Sequence, residues 1–226
     1  MTNNEQDVTT APAGAEATRQ ALIMAGLTLF GRRGFEGTST REIASAAKAN
    51  IGSIAYHFGG KDGLRAACAR YIVDTIRAVA GPAVGLGEAE VLDADAAEQR
   101  LVQGVERMVA FMVAHPEPAV FVQFVLRELA TAGPGVDILY DGVFEPMHKR
   151  LCQLWGQATG QPAESERTRI AVFAMIGQVV YFRIGREPVL RRMGWNDIGP
   201  AEAARLAAVF TENLKAALRI HREAGQ

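Results

Sequence analysis

The residues best suited to chemistry are crowded into one stretch, Ser39 to Lys61: Ser-Thr-Arg-Glu-Ile-Ala-Ser-Ala-Ala-Lys-Ala-Asn-Ile-Gly-Ser-Ile-Ala-Tyr-His-Phe-Gly-Gly-Lys. Hydroxyls, an amide, an imidazole and the cations Arg41, Lys48 and Lys61 stand there among small apolar residues. That inventory suits hydrogen bonding and charge pairing with a polyanion better than bond making. The chain shows no Gly-rich phosphate loop, no His-x-x-x-His or Glu-x-x-His pair, and no nucleophile beside a base, so an enzyme is not expected. Cys68 and Cys152 are far apart and fit no metal or redox spacing. Both sit among apolar neighbours and read as small buried hydrophobes. With four scattered histidines, neither a structural zinc nor any other cofactor is expected.

Two short helices must position these groups, and each has its own start signal. Ser39 and Glu42 form a capping box, the hydroxyl taking the N3 amide and the carboxylate reaching back to the cap. Asn50 caps the second helix with its side-chain oxygen. Only Lys48 and Ala49 separate the end of one helix from the cap of the next. Helices joined that tightly cross steeply, as in a helix-turn-helix, and this geometry presents the second helix to a DNA major groove.

Around this pair the chain of 226 residues is 49% apolar and 7% aromatic. Apolar spacings of three and four recur while alternating strand patterns do not, so the fold class is all-α. The net charge of -1 hides a polarity. Residues 17–65 hold seven basic residues (Arg19, Arg32, Arg33, Arg41, Lys48, Lys61, Arg65) against Glu36, Glu42 and Asp62, a net +4. Residues 80–100 hold five acids against Arg100, a net -4. A cationic segment around the helix pair is what phosphate contact needs. No apolar run approaches the roughly 18 residues of a membrane span. Residues 1–16 lack a signal-peptide pattern, so a cytoplasmic protein is expected.

The expected organisation follows from breakers and composition. Residues 1–16 read as a disordered tail. Residues 17–62 form a three-helix DNA-binding unit. Its first helix starts near Ala17, turns Leu22, Gly26, Leu29 and Phe30 inward, and stops at Gly34 in a left-handed C′ position. Residues 63–80 make a connecting helix ended by Gly81-Pro82. A larger helical domain covers residues 98–224, in helices near Leu101–Ala114 (ended by His115-Pro116), Pro118–Ala130, Val136–Thr159 with a kink at Pro146, Pro162–Arg186 and Pro200–Arg222. An irregular piece begins at Glu187-Pro188.

With these residues in place the chain resembles the TetR family of transcriptional regulators. The resemblance rests on Gly34-Phe35, Thr38-Ser39-Thr40, Ile43-Ala44, Ala47, Gly52, His57-Phe58-Gly59-Gly60-Lys61 and Leu64, and covers about Ala17 to Ile76. Further on, Gly185-Arg186-Glu187-Pro188-Val189-Leu190 is similar to CecR-type C-terminal domains. Three positions depart from the family pattern. Lys48 replaces the turn Gly and has to adopt positive φ. Asn50 replaces a Ser, and Ala55 stands where a backbone-touching Tyr is usual, with Tyr56 beside it.

The resemblance implies a DNA-binding regulator, a ligand-responsive repressor reading a palindromic operator as a homodimer. Thr40 and Arg41 lie where the family touches phosphate and sometimes a base. Ile51, Gly52 and Ser53 are the first turn of the recognition helix, and Lys48, Asn50, Tyr56, His57 and Lys61 complete the DNA-facing set. Ile43, Ala44, Ala47, Ile54 and Phe58 are assigned to the core. The implied dimer would use the last two long helices. One carries Phe173, Ile176, Gly177, Val180, Tyr181 and Ile184; the other carries Ala203, Leu206, Ala207, Phe210, Leu214, Ala217 and Leu218. An unknown small-molecule effector would sit among Phe111, Phe121, Phe124, Trp155 and Phe173, with Arg127 as a polar anchor; Met112, Glu128, His148 and Arg183 are further candidates. The competing reading is a helical protein-binding adaptor whose DNA binding is lost or altered.

Overall fold

The computed structural model describes residues 13–88, 90–114 and 117–223. These residues are helical, without a strand among them. The tail expected over residues 1–16 lies outside the described residues up to position 12, as does the His115-Pro116 break. Two compact units divide the chain, one up to Cys68 and one from Ala69 onward.

The first unit contains α1 (Ala13–Arg33), α2 (Thr40–Ala46), α3 (Gly52–Phe58) and the start of α4 (Lys61–Val84). Helix α1 begins four residues earlier than the sequence suggests. Its inward face is Leu22, Ile23, Leu27 and Phe30, all at 2% exposure or less. Leu29 is only half-buried, displaced from the face by Leu27. Gly26 allows α4 close, since a Cβ there would lie 3.0 Å from the Cys68 sulfur. Cys68 in turn donates to the Ile23 carbonyl at 3.5 Å. Gly34 ends α1 at φ +75°. Thr38 is buried and donates to the Gly34 carbonyl at 2.8 Å, fixing the chain's approach to α2.

The second unit continues α4 and adds α5 (Ala94–Ala114), α6 (Glu117–Thr131), α7 (Gly135–Leu139), a π turn (Tyr140–Phe144), α8 (Glu145–Thr159), α9 (Glu166–Ile184), α10 (Arg186–Met193) and α11 (Pro200–Glu223). Helix α5 is central, packed on α8, α9 and α11. Leu101, Val105, Val109, Leu154, Trp155, Val172, Val179, Phe210, Leu214 and Leu218 form the core between them. Trp155 is 1% exposed, and its Nε1 donates to His221 Nδ1 at 3.1 Å, so the indole is satisfied while buried. Burial lowers the His221 pKa, with a smaller contribution from Arg167.

Three expectations are corrected here. Pro82 does not end α4; it lies in the last turn of a helix that runs on to Val84. Gly85 makes the stop, at φ +62°, with Leu86 N–H donating to the Gly81 carbonyl at 2.9 Å in a Schellman closure. Pro146 lies inside an unbroken helical run from Gly135 to Thr159, as expected. It follows the π turn, where the Glu145 N–H reaches the Tyr140 carbonyl five residues back and shifts the hydrogen-bond register just ahead of the proline's missing donor. Glu187-Pro188 begins no irregular piece but falls in the first turn of α10, where a proline breaks no hydrogen bond. Helix α9 also starts later than Pro162, at Glu166, because Ser165 is its N-cap and accepts the Thr168 amide.

Candidate nucleic-acid interface and interior cavity

Local signals build the helix pair. Ser39 Oγ accepts the Glu42 amide at 3.2 Å, and Glu42 Oε2 accepts the Ser39 amide at 2.9 Å. The Ser39 amide and the Ser39 hydroxyl, which donates to the same Oε2 at 2.8 Å, hold the Glu42 carboxyl below the usual carboxylate range, helped by Arg33, whose Nη1 lies 2.6 Å from Glu42 Oε1. The ion pair thereby ties the end of α1 to the start of α2, a link that sequence spacing alone does not announce. Helix α2 ends in a second Schellman closure, with Lys48 N–H donating to Ser45 at 3.1 Å and Ala49 N–H to Ala44 at 2.9 Å. The C′ residue of that closure is Lys48, at φ +52°, the positive φ expected for it. Asn50 Oδ1 then accepts the Gly52 amide at 2.8 Å and caps α3.

The exposed residues of this pair form a coherent face. Arg41, Lys48, Asn50 and Gly52 are exposed, Ile51 is 50% exposed and Tyr56 is 83% exposed. Thr40, Ser53, His57 and Lys61 are half-buried. On α3, Ile51 and Ala55, and Gly52 and Tyr56, are one turn apart and share the outward side. Ile54 is buried beneath them. Lys61 is placed differently from the other cations, its ammonium 4.1 Å from the centre of the Phe35 ring. Arg65, buried, lies over the same ring at 4.6 Å. Phe35 thus gathers two cations at the foot of α3.

In the second unit a cavity of about 230 Å³ opens between α4, α5, the π turn, α8 and α9. Ile76, Val79 and Ala80 of α4 form one wall, Met108, Phe111 and Met112 of α5 another. The π turn contributes Val143 and Phe144, α8 contributes Met147, His148 and Leu151, and α9 contributes Phe173, Met175, Ile176 and Val180. Gly142 lets the π turn approach α4, because a Cβ there would meet both Val73 methyls at 2.8 Å.

The six residues proposed for the effector are dispersed. Phe111 and Phe173 line this cavity. Phe121 and Phe124 are buried on the inner side of α6, where Phe121 packs edge-on against Tyr71. Trp155 is turned to α11 and held by His221, and Arg127 is exposed on α6. Apolar helical spacing picks out the five aromatic residues but does not say which interior gap each one meets, and Phe173 stays largely exposed. Among the further candidates, Met112 and His148 do line the cavity. Glu128 is buried and accepts the Gly135 amide at 3.0 Å, so it serves the α6–α7 turn. Arg183 lines a different, open groove with Arg186.

The two long helices proposed for the dimer also separate. Ala203, Leu206, Phe210, Leu214 and Leu218 of α11 are buried in the unit's own core, with Ala207 and Ala217 half-buried against it. Helix α9 is apolar on two sides. Thr168, Val172, Met175 and Val179 face inward, and Ile176 and Val180 are half-buried in the cavity wall. Ile170, Phe173, Ala174, Gly177, Tyr181 and Ile184 make an exposed stripe. Ile170, Ala174, Gly177, Tyr181 and Ile184 follow a four-three-four-three spacing, the pattern of a coiled-coil seam. A Cβ on Gly177 would meet no atom within 4 Å, so none of the described residues covers the seam there. No single helix among the described residues is long and apolar enough to cross a membrane.

Comparison with known proteins bears on both units. Residues 22–68 match the family model described as bacterial regulatory proteins, tetR family. Residues 97–219 match the model for the C-terminal domain of the HTH-type transcriptional dual regulator CecR. The CecR dual regulator of Shigella flexneri is 34% identical over 185 residues, which cover 80% of this chain and 82% of the relative. The transcriptional regulatory protein RaaS of Mycobacterium tuberculosis is 25% identical over 206 residues, 89% of each chain. Among solved structures, a transcriptional regulator from Pseudomonas aeruginosa PAO1 superposes with TM-score 0.63 at 19% identity, covering 96% of this chain and all of that one. AibR, solved with isovaleryl coenzyme A and operator DNA, superposes with TM-score 0.63 at 20% identity, over 86% and 96%. Likeness at those identities speaks for the fold alone.

Proposed function

The chain belongs to the TetR family of bacterial transcriptional regulators and carries the CecR-type C-terminal domain, and on that premise we propose that it is a ligand-responsive repressor that binds a palindromic operator as a homodimer. One observation carries the reading: the outward side of α3, with Ile51, Gly52 and Tyr56 exposed beside Arg41, Lys48 and Asn50. Gly52 lets the helix approach a groove floor, Ile51 suits a thymine methyl, and Ser53 can donate to or accept from a base edge. Arg41, Lys48 and His57 grip phosphates, and Tyr56 supplies the phenol that Ala55 lacks. Lys61 adds its charge to the field while resting on Phe35.

The α9 stripe is the seam for the second copy, which sets the spacing of two recognition helices against two half-sites. The effector occupies the cavity whose wall is α4. A ligand with higher affinity for the DNA-incompetent state shifts the population toward it by that difference in affinity. Such a protein works in the cytoplasm, where its operator is.

The test is fluorescence anisotropy on the promoter region beside the gene, for the wild type and Arg41→Ala, across a salt series. Loss of one phosphate contact per half-site lowers affinity and flattens the log–log salt slope by about 2. Wild-type affinity and slope in the variant remove Arg41 from the interface. Wild-type protein that binds no genomic DNA leaves the adaptor reading in possession. Light scattering that finds a monomer at micromolar concentration refutes the homodimer.

A further inference from the structure

The wall of the interior cavity specifies what can enter it. Four of its side chains are the thioethers Met108, Met112, Met147 and Met175, and three more are phenyl rings, including Phe111 and Phe173. Of the remaining lining residues only His148 and Arg107 carry hydrogen-bonding side chains. Arg107 is exposed, so its guanidinium belongs to the rim.

His148 has no hydrogen bond to offer a guest. Its Nε2 lies 3.2 Å from the Arg169 carbonyl and must donate to it, which leaves Nδ1 as an acceptor. Nδ1 is 3.6 Å from the Cys152 sulfur. Burial pushes the Cys152 thiol up to about 11, so it stays protonated and donates to that nitrogen. The imidazole face is stacked on Phe173 with centroids 3.9 Å apart. The ring therefore contributes an aromatic edge rather than a polar anchor.

We propose that this cavity binds a compact, uncharged aromatic molecule of about nine or ten non-hydrogen atoms. The size follows from scaling: a dry apolar cavity of about 150 Å³ holds benzene, and this one is about 230 Å³. Sulfur and ring-edge contacts favour an aromatic guest over a saturated one. A carboxylate inside the wall would find no donor, and an unpaired buried charge is excluded far more strongly than a methylene is attracted. Flexible methionines let the wall close around guests of different outline within that volume. The inference rests on the reading of the cavity as the effector site.

Full-length protein is titrated calorimetrically with naphthalene, 1-naphthoate and pyrene, and the same compounds are added to the protein–operator complex. The expected result is a naphthalene Kd on the order of tens of micromolar, 1-naphthoate at least tenfold weaker, and no pyrene binding. Ala80→Phe, which fills the α4 wall, weakens naphthalene at least tenfold. Phe111→Ala, which enlarges the cavity, admits pyrene, and this reads out the same site should Ala80→Phe fail to fold. Naphthoate binding as tightly as naphthalene, pyrene binding the wild type, or no binding of naphthalene overturns the proposal. If naphthoate alone binds and releases the operator, the ligand class falls and the ligand-responsive reading stands. If naphthalene binds the cavity and the operator complex persists, the class stands and the responsive reading falls.

Discussion

Replacing Lys48 separates backbone strain from charge in the turn of the helix pair. Lys48 holds φ +52° as the C′ residue of α2. A non-glycine residue in that region costs roughly 1–2 kcal/mol. Glycine removes that cost but loses about 0.5–1 kcal/mol more chain entropy on folding. Lys48→Gly should therefore stabilise the protein by about 0.5–1 kcal/mol, whereas Lys48→Ala keeps the Cβ and the strain and should leave stability near wild type. Both variants lose the same cation, so if Lys48 meets a phosphate they weaken operator binding equally and flatten the salt slope by about 2 for a dimer. Chemical denaturation gives the first comparison and anisotropy the second. A Lys48→Gly protein no more stable than Lys48→Ala would refute the strain argument. Unequal DNA affinities would show that turn geometry, rather than charge, sets binding.

Four further outcomes are expected. Ser39→Ala removes the capping hydroxyl and should cost about 1 kcal/mol, seen as a lower denaturation midpoint. Glu42 has a folded pKa below its unfolded value, so its contribution is present above about pH 4.5 and is lost as pH falls through the folded pKa; Glu42→Gln should flatten stability over that acid window, and an unaltered profile would count against the capping box. His221 also has a lowered folded pKa, so its unfolded state binds the proton more readily. Stability should be full above about pH 6.5 and decline as pH falls below it, a decline that His221→Asn should suppress in the measured pH profile. Gly177→Glu puts a charge into the exposed α9 seam at a position where its Cβ touches nothing; light scattering should then find a monomer with native helical content, and a persisting dimer would move the interface off α9.

What could be read in advance depended on the range of the interaction involved. The capping box and the glycine stop at Gly34 involve partners within about five residues, so residue type and spacing suffice, whereas the positive φ at Lys48 is expected only because the TetR resemblance places a turn glycine there. Pro82 and Pro188 were misleading because a proline's effect depends on its exact turn, and helix ends shift by a residue or two under packing. The π turn before Pro146 leaves no composition mark. It packs Gly142 against Val73, two residues far apart in the chain.

By itself, then, the sequence determined an all-α chain and a capped helix pair of TetR type, since local hydrogen bonds and 3.6-residue periodicity are written in neighbouring residues. Tertiary structure decided which apolar faces meet a core, a void or the outside. Phe111 and Phe121 carry the same side chain on inward faces of successive helices, yet one borders the cavity and the other is packed solid. The stripe on α11 looks as fit for a partner as the one on α9, yet it closes the unit's own core while α9 keeps a second apolar side exposed. Hydrophobic burial is non-directional, so periodicity says that a face will be covered, and only the packed neighbours say by what.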